Sequence, residues 1–360
     1  MSSIFGSVFD IINIPLGYLM RFLAHIFNGN FAASVFMFTL LINLILIPLS
    51  IKSQKSSVSQ MRIKPKLDEL KKRYGDDRQR MAQEQQKLYQ DEGVSMSGGC
   101  LPMIVRMVLL LSIYWLIMSP LTYMAGANKT QISNVTKGIN SSLSEMQSAY
   151  KNEKDETEKT KKENEYNEAV ESLSRWKLNA TNSYELTLIR IIRDNPGAVE
   201  EVLTQEQYSK IADDYKYAQD MYKSSGINFN LFGIDLTETP AFSINIFNDW
   251  QAIWLLPIAA FLAQMLTSVV SMLINKRVNP EAPNMALMML TMPLISLVIG
   301  FSFPGGVCFY WICSSLIGGA IQSAVQLMYG PHSMLARERE KELSKVCDFE
   351  AGQRKKFETE

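Results

Sequence analysis

Long apolar runs alternate along this chain with equally long charged ones. Five apolar stretches, 31–50, 101–124, 249–275, 285–302 and 307–329, approach or exceed the roughly 20 residues that cross a bilayer as a helix. Phe303-Pro304-Gly305-Gly306 separates the last two with a turn signal. Residues 1–30 carry a different pattern. Ile11, Ile12, Ile14, Leu16, Leu19, Phe22, Leu23 and Ile26 recur on one helical stripe, which predicts an amphipathic helix over about 13–28. Arg21 and His25 interrupt that run, so a helix lying in the membrane interface is expected there, with a short span as the alternative.

Between the runs, the polar segments have their own order. Residues 51–100 read as a helical hairpin, with Tyr74-Gly75-Asp76-Asp77 giving a helix stop and then a start. Met61, Leu67 and Leu70 give the first arm a thin apolar edge, and Met81 and Leu88 the second. Residues 125–248 read as a mostly helical insertion. Its first part, 141–176, is rich in Glu, Lys and Asn and fits a long polar helix or partly disordered chain. Its second part places Leu186, Leu188, Ile191, Ile192, Val199 and Val202 so that a small helical domain can pack, with a turn at Asn195-Pro196-Gly197. The predicted fold class is an all-α polytopic membrane protein of five transmembrane helices.

Charge sets the expected direction. The formal net charge is zero, but the basic residues are segregated. Residues 51–100 hold eleven Lys and Arg, the loop 276–284 holds Lys276 and Arg277, and the tail 330–360 holds seven, against Arg21 alone before the first span. The positive-inside rule then places these three segments in the cytoplasm, the N-terminus outside and the C-terminus inside. Residues 125–248 carry 14 basic and 19 acidic residues and are long enough to translocate largely regardless of charge. No leader to be cleaved is expected, because no basic region precedes the first apolar stretch.

Several chemistries find no support. None of the four cysteines falls within 125–248, so no disulfide framework is implied there. The two histidines, His25 and His332, stand near no cysteine pair, and no metal site is expected. No GxSxG, HExxH or phosphate-cradling loop occurs, so no catalytic residue and no cofactor is assigned, and the chain reads as a non-enzyme.

Arg106 is the exception inside the apolar runs. A cation at membrane depth is costly unless it snorkels, pairs or faces a wet cavity, so it marks a candidate functional site. From the residues alone, snorkelling to the head groups and facing a cavity are both open.

A family resemblance adds to this reading. Ser97-Gly98-Gly99-Cys100-Leu101-Pro102 before a span, Lys64-Pro65-Lys66 through Tyr74-Gly75-Asp76-Asp77, and Phe303-Pro304-Gly305-Gly306 with Tyr310-Trp311 and Gln322 resemble motifs of the YidC membrane-protein insertase family. The resemblance covers about 10–124 and 230–330, and the size of the 125–248 insertion departs from the simpler five-span members. It implies a hydrophilic groove within the membrane, open to the cytoplasm, that guides transmembrane segments and short external tails of nascent membrane proteins into the bilayer, with a folding-chaperone role beside it. The family's groove cation typically precedes a Pro-Leu pair on the first span. Here the pair is Pro48-Leu49 and the matching position is Asn43, so the resemblance implies that Arg106 supplies the charge from the second span. Asn43, Thr39, Gln264, Ser268, Ser315 and Gln322 are the candidate polar lining, each with a helix–helix hydrogen-bonding role as the alternative. Tyr310 and Trp311 are candidate client contacts. Expected partners are nascent membrane proteins and membrane lipids, then the ribosome and the Sec translocon, with no DNA; the expected location is the bacterial inner membrane. A small-solute transporter or channel is the alternative function, which the absence of a visible internal repeat disfavours.

Overall fold

A computed structural model of the chain describes residues 2–75, 77–93, 101–176, 184–240, 250–278 and 286–330, with 340, 343, 344, 346 and 347 of the tail. Residues 279–284 of the predicted loop 276–284, most of the tail and the Ser97-Gly98-Gly99-Cys100 part of the motif lie outside these residues. The helices run in chain order as α1 (Ser2–Ile26), α2 (Phe31–Ile45), α3 (Ile47–Tyr74), α4 (Arg78–Asp91), α5 (Leu101–Met118), α6 (Lys129–Lys151), α7 (Glu156–Ser172), α8 (Tyr184–Asp194), α9 (Ala198–Val202), α10 (Gln205–Ser209), α11 (Ala212–Ser225), α12 (Leu255–Val278), α13 (Ala286–Gly300) and α14 (Gly305–Met328). A π-helical turn, Leu121–Ala125, follows α5, and a two-stranded antiparallel ribbon pairs β1 (Asn230–Leu231) with β2 (Ile234–Asp235). This is the all-α architecture expected.

Among the described residues, Ala252–Lys276 and Gly305–Met328 are long and apolar enough to cross a membrane, and the bent pair Phe31–Ile45 with Ile47–Ser59 makes a third if taken as one span. Ile104–Met118 and Thr291–Gly300 are shorter apolar helices within the second and fourth predicted spans. The backbone bends inside the predicted span 31–50. The break comes at Leu46, and α3 runs on to Tyr74. Pro48 sits in the first turn of α3, where its missing N–H does least harm, and it cannot bond to the carbonyl four residues back. Pro257 lies in the opening turn of α12, so it starts a helix rather than bending one.

The chain forms two compact units. The first comprises Met1–Leu41, Val108–Leu262 and Leu294–Cys313. Within it the segment 141–176 is ordered as the end of α6 and all of α7, with Asp155 capping α7 by accepting from Thr157 N. Trp176, 1% exposed, stacks on Tyr184 with ring centroids 5.1 Å apart and donates to Asn140 Oδ1 at 2.9 Å. Leu186, Leu188, Ile191, Ile192 and Val199 are buried as the pattern required. The Gly305-Gly306 pair has a structural cause: Gly305 N donates to Glu238 O at 2.7 Å and Gly306 N to Leu236 O at 2.8 Å, which satisfies two first-turn donors of α14. A Cβ on Gly305 would stand 2.9 Å from Leu256 Cδ1.

The second unit comprises Ile42–Met107, Ala263–Pro293 and Ser314–Glu360. Here α3 and α4 form a helical hairpin. Asp77 caps α4 by accepting from Arg80 N at 3.0 Å, and Lys66 pairs with Glu92 across the two arms. Asp76 lies outside the described residues. Helices α12 and α14 approach closely: a Cβ on Gly319 would stand 2.4 Å from Thr267 Cγ2. Gly319→Val is therefore expected to destabilise the helix pair by about 1–3 kcal/mol, the usual range for overpacking. Thermal unfolding in detergent checks this, and an unchanged midpoint would rule the close approach out.

Candidate functional site

Arg106 lies on the second turn of α5, beside residues whose side chains are largely exposed, Ile104 and Met107 among them. Apolar neighbours of this kind suit lipid. The guanidinium does not project into that surface alone. Its Nη2 donates to Ser50 Oγ at 2.6 Å and to Gln322 Oε1 at 3.3 Å. Ser50 comes from the first turn of α3 and is 2% exposed; Gln322 comes from α14. Both partners are neutral, and among the described residues no carboxylate pairs with Arg106. The side chain is thus positioned by hydrogen bonds to two neutral groups while it stays exposed.

Asn43 is described in the same unit. A Cβ on Gly318 would stand 3.1 Å from Asn43 Oδ1, so Asn43 lies against α14 at Gly318. Gly318 and Gln322 are one turn apart on that helix, roughly 6 Å along its axis. Asn43 and Arg106 therefore meet α14 at successive turns. Helix α12 adds Gln264 and Ser268, and α14 adds Ser315, all half-buried. At the far end of α14, Ser271 and Gln326 exchange a hydrogen bond at 3.4 to 3.5 Å, and Lys55 stands 5.6 Å over the ring of Tyr329.

Thr39, Tyr310 and Trp311 are described within the other unit. Thr39 is fully buried, and its Oγ1 donates to Val35 O at 2.6 Å on its own helix. Tyr310 is only 6% exposed, and Trp311 packs edge-on against Phe303 at 5.4 Å. Of the two aromatic candidates for client contact, Trp311 presents the more surface. Ser50 was not among the expected residues. The signal for it was its place in the turn that begins with Pro48, where a serine hydroxyl is held close to the helix start. No group of three or more His, Cys, Asp or Glu able to hold a metal occurs among the described residues.

The family described as 60Kd inner membrane protein matches residues 22–138 and 205–330. The gap between the two stretches falls within the polar insertion. Proteins named membrane protein insertase YidC are similar over about a hundred residues. The protein of Haemophilus ducreyi is 45% identical over 105 residues, which cover 29% of this chain and 19% of that protein. That of Cellvibrio japonicus is 41% identical over 104 residues, with coverages of 29% and 19%. One from a Shewanella species is 39% identical over 106 residues, again 29% and 19%. The chain thus aligns with about a fifth of the length of these relatives. The family's two matched stretches take in more than half of the chain, including Asn43, Ser50, Arg106 and Gln322, and the chain belongs to the YidC family of inner membrane proteins.

Proposed function

We propose that this chain is a membrane-protein insertase that performs no covalent step. The observation that carries the reading is Arg106, held by Ser50 and Gln322 with no acidic partner among the described residues, and with Asn43 of α2 against Gly318, one turn of α14 from Gln322. A nascent transmembrane segment presents a polar and often acidic tail that must cross hydrocarbon. A wet groove between the helices shortens the apolar distance, and the guanidinium attracts the tail where the dielectric is low and such attraction is strong. Burial of the client's apolar helix in lipid beside the groove then drives the transfer. Five spans, with the N-terminus outside and the C-terminus in the cytoplasm, put the basic hairpin of α3 and α4 on the side where nascent chains emerge. That hairpin and the basic tail suit contact with ribosomal RNA, and α1 lies along the outer interface. The same groove suits a chaperone role, holding membrane proteins that are partly folded.

Reconstitution tests this directly. The purified chain in proteoliposomes should render the short acidic tail of a single-span client protected from added protease, and liposomes without it should not. Protection at the same rate in both would end the reading. Solute flux in the absence of any client peptide would assign the chain to the transporters instead.

A further inference from the structure

Helix α1 buries one face and exposes another. Asn13, Met20, Leu23 and Ala24 are buried, whereas Ile11, Ile14, Tyr18, Phe22 and Ile26 are each at least 52% exposed and follow one another at helical spacing. Beside the middle of that apolar stripe, and sharing Ile14 and Tyr18 with it, lies a cleft of about 310 Å³, walled by α1, the turn Leu121–Ala125 and the start of α6. Its charged lining is wholly basic, consisting of Arg21 and Lys129.

The guanidinium is fixed rather than free. Arg21 Nε donates to Met124 O at 3.1 Å, and its Cζ lies 5.4 Å from the ring centre of Tyr18. Gly126, at φ +83°, leaves space for it, because a Cβ there would stand 2.3 Å from Arg21 Nη2. The carboxyl of Glu185 is not part of the lining; it accepts from Thr122 N at 3.0 Å and from Thr122 Oγ1 at 2.6 Å.

We propose that this cleft holds the phosphodiester of a membrane phospholipid between Arg21 and Lys129, with the acyl chains lying along the exposed stripe of α1. A planar guanidinium held by Nε keeps its Nη groups for a phosphate, which it recognises through paired N–H donors. An ammonium on the opposite wall adds a second charge, and basic groups beside a membrane attract anionic head groups. The cleft's size is at the low end of small-ligand sites, which suits a head group and excludes a bulky one. An apolar stripe leading out of a basic cleft fits an amphiphile with one anionic end.

Native mass spectrometry of the full chain in detergent tests the site. The probes are dioleoylphosphatidylglycerol, dioleoylglycerol and inorganic phosphate. The chain should retain about one phosphatidylglycerol per molecule and at least tenfold less dioleoylglycerol, and millimolar phosphate should not displace the lipid. Arg21→Gln with Lys129→Gln should lower retention at least tenfold. Lys129→Gln alone removes an exposed charge without disturbing the Met124 contact, and should lower retention several-fold at unchanged helicity. Undiminished retention by Lys129→Gln and by the double variant would overturn the site, as would equal retention of dioleoylglycerol. Displacement by phosphate would reassign the cleft to a soluble anion. The readout is lipid retention and not client insertion, so its failure is distinguishable from failure of the Arg106 reading.

Discussion

Arg106→Ala is expected to slow insertion of a client with an acidic tail by roughly 10- to 100-fold, and adding Asn43→Arg is expected to restore most of the rate. A hydrogen bond to a charged group contributes about 1.5–3 kcal/mol. Each 1.4 kcal/mol is about a factor of ten. The alanine variant also leaves Ser50 Oγ and Gln322 Oε1 without the donor they share. Rescue follows from geometry. Asn43 meets α14 at Gly318, one turn from Gln322, and a longer side chain at 43 can carry its guanidinium along that helix to the same acceptor. Arg106→Lys should fall between, since it keeps the charge but loses the fork that binds two acceptors at once. Clients with neutral tails should be slowed less than acidic ones. The measurement is the initial rate of protease protection in proteoliposomes. A full rate for Arg106→Ala with the acidic client sinks the electrostatic role. Loss without rescue sinks only the interchange of the two positions.

Arg106 was legible in the sequence because a charge in an apolar run needs an explanation whatever the fold. Its partners were less so. Gln322 stood out as polar within a span, but Ser50 looked like the ordinary end of one. Only the fold shows that it belongs to α3, which runs on to Tyr74, and that it accepts from Arg106. Hydropathy also does not show the helix break: polarity changes at residue 50, while the backbone breaks at Leu46, just before Pro48 removes a donor. Pro257 is a related case. Composition shows a proline in a span but not its position relative to the helix start, and that position decides between a kink and a cap. In the insertion, the apolar positions of α8 were plain, because helical spacing is a local property. The Trp176 stack on Tyr184 and its bond to Asn140 were not, since they join residues up to 36 positions apart.

Glu185 was missed for the same reason, and it carries the second large effect. It reads as one acidic residue at the start of α8, yet it is only 9% exposed and grips Thr122 through both oxygens. Burial pushes its carboxyl up from the ordinary 4.5 to about 7, with the Thr122 and Leu121 hydrogen bonds and Lys129 pulling the other way. Between those two values the folded chain holds a proton that the unfolded chain has released. Stability from this group is therefore complete below about pH 4.5 and is lost as pH rises to about 7, by about 3 kcal/mol in all. Glu185→Gln should abolish that slope, because the amide is neutral throughout and still offers Thr122 an acceptor. Every other titrating group contributes equally to both proteins, so the difference between their pH profiles isolates Glu185. Hydrogen exchange over 184–194 and 121–125, or urea unfolding followed by Trp176 fluorescence, at pH 5 and pH 8 reads it. The wild type should lose protection at pH 8 relative to the glutamine variant, and parallel profiles would show that the carboxyl is ionised in the fold at both pH values. The loss would begin at the turn Leu121–Ala125, because the ionised carboxyl gains from reaching water and its bonds to Thr122 would draw that turn with it.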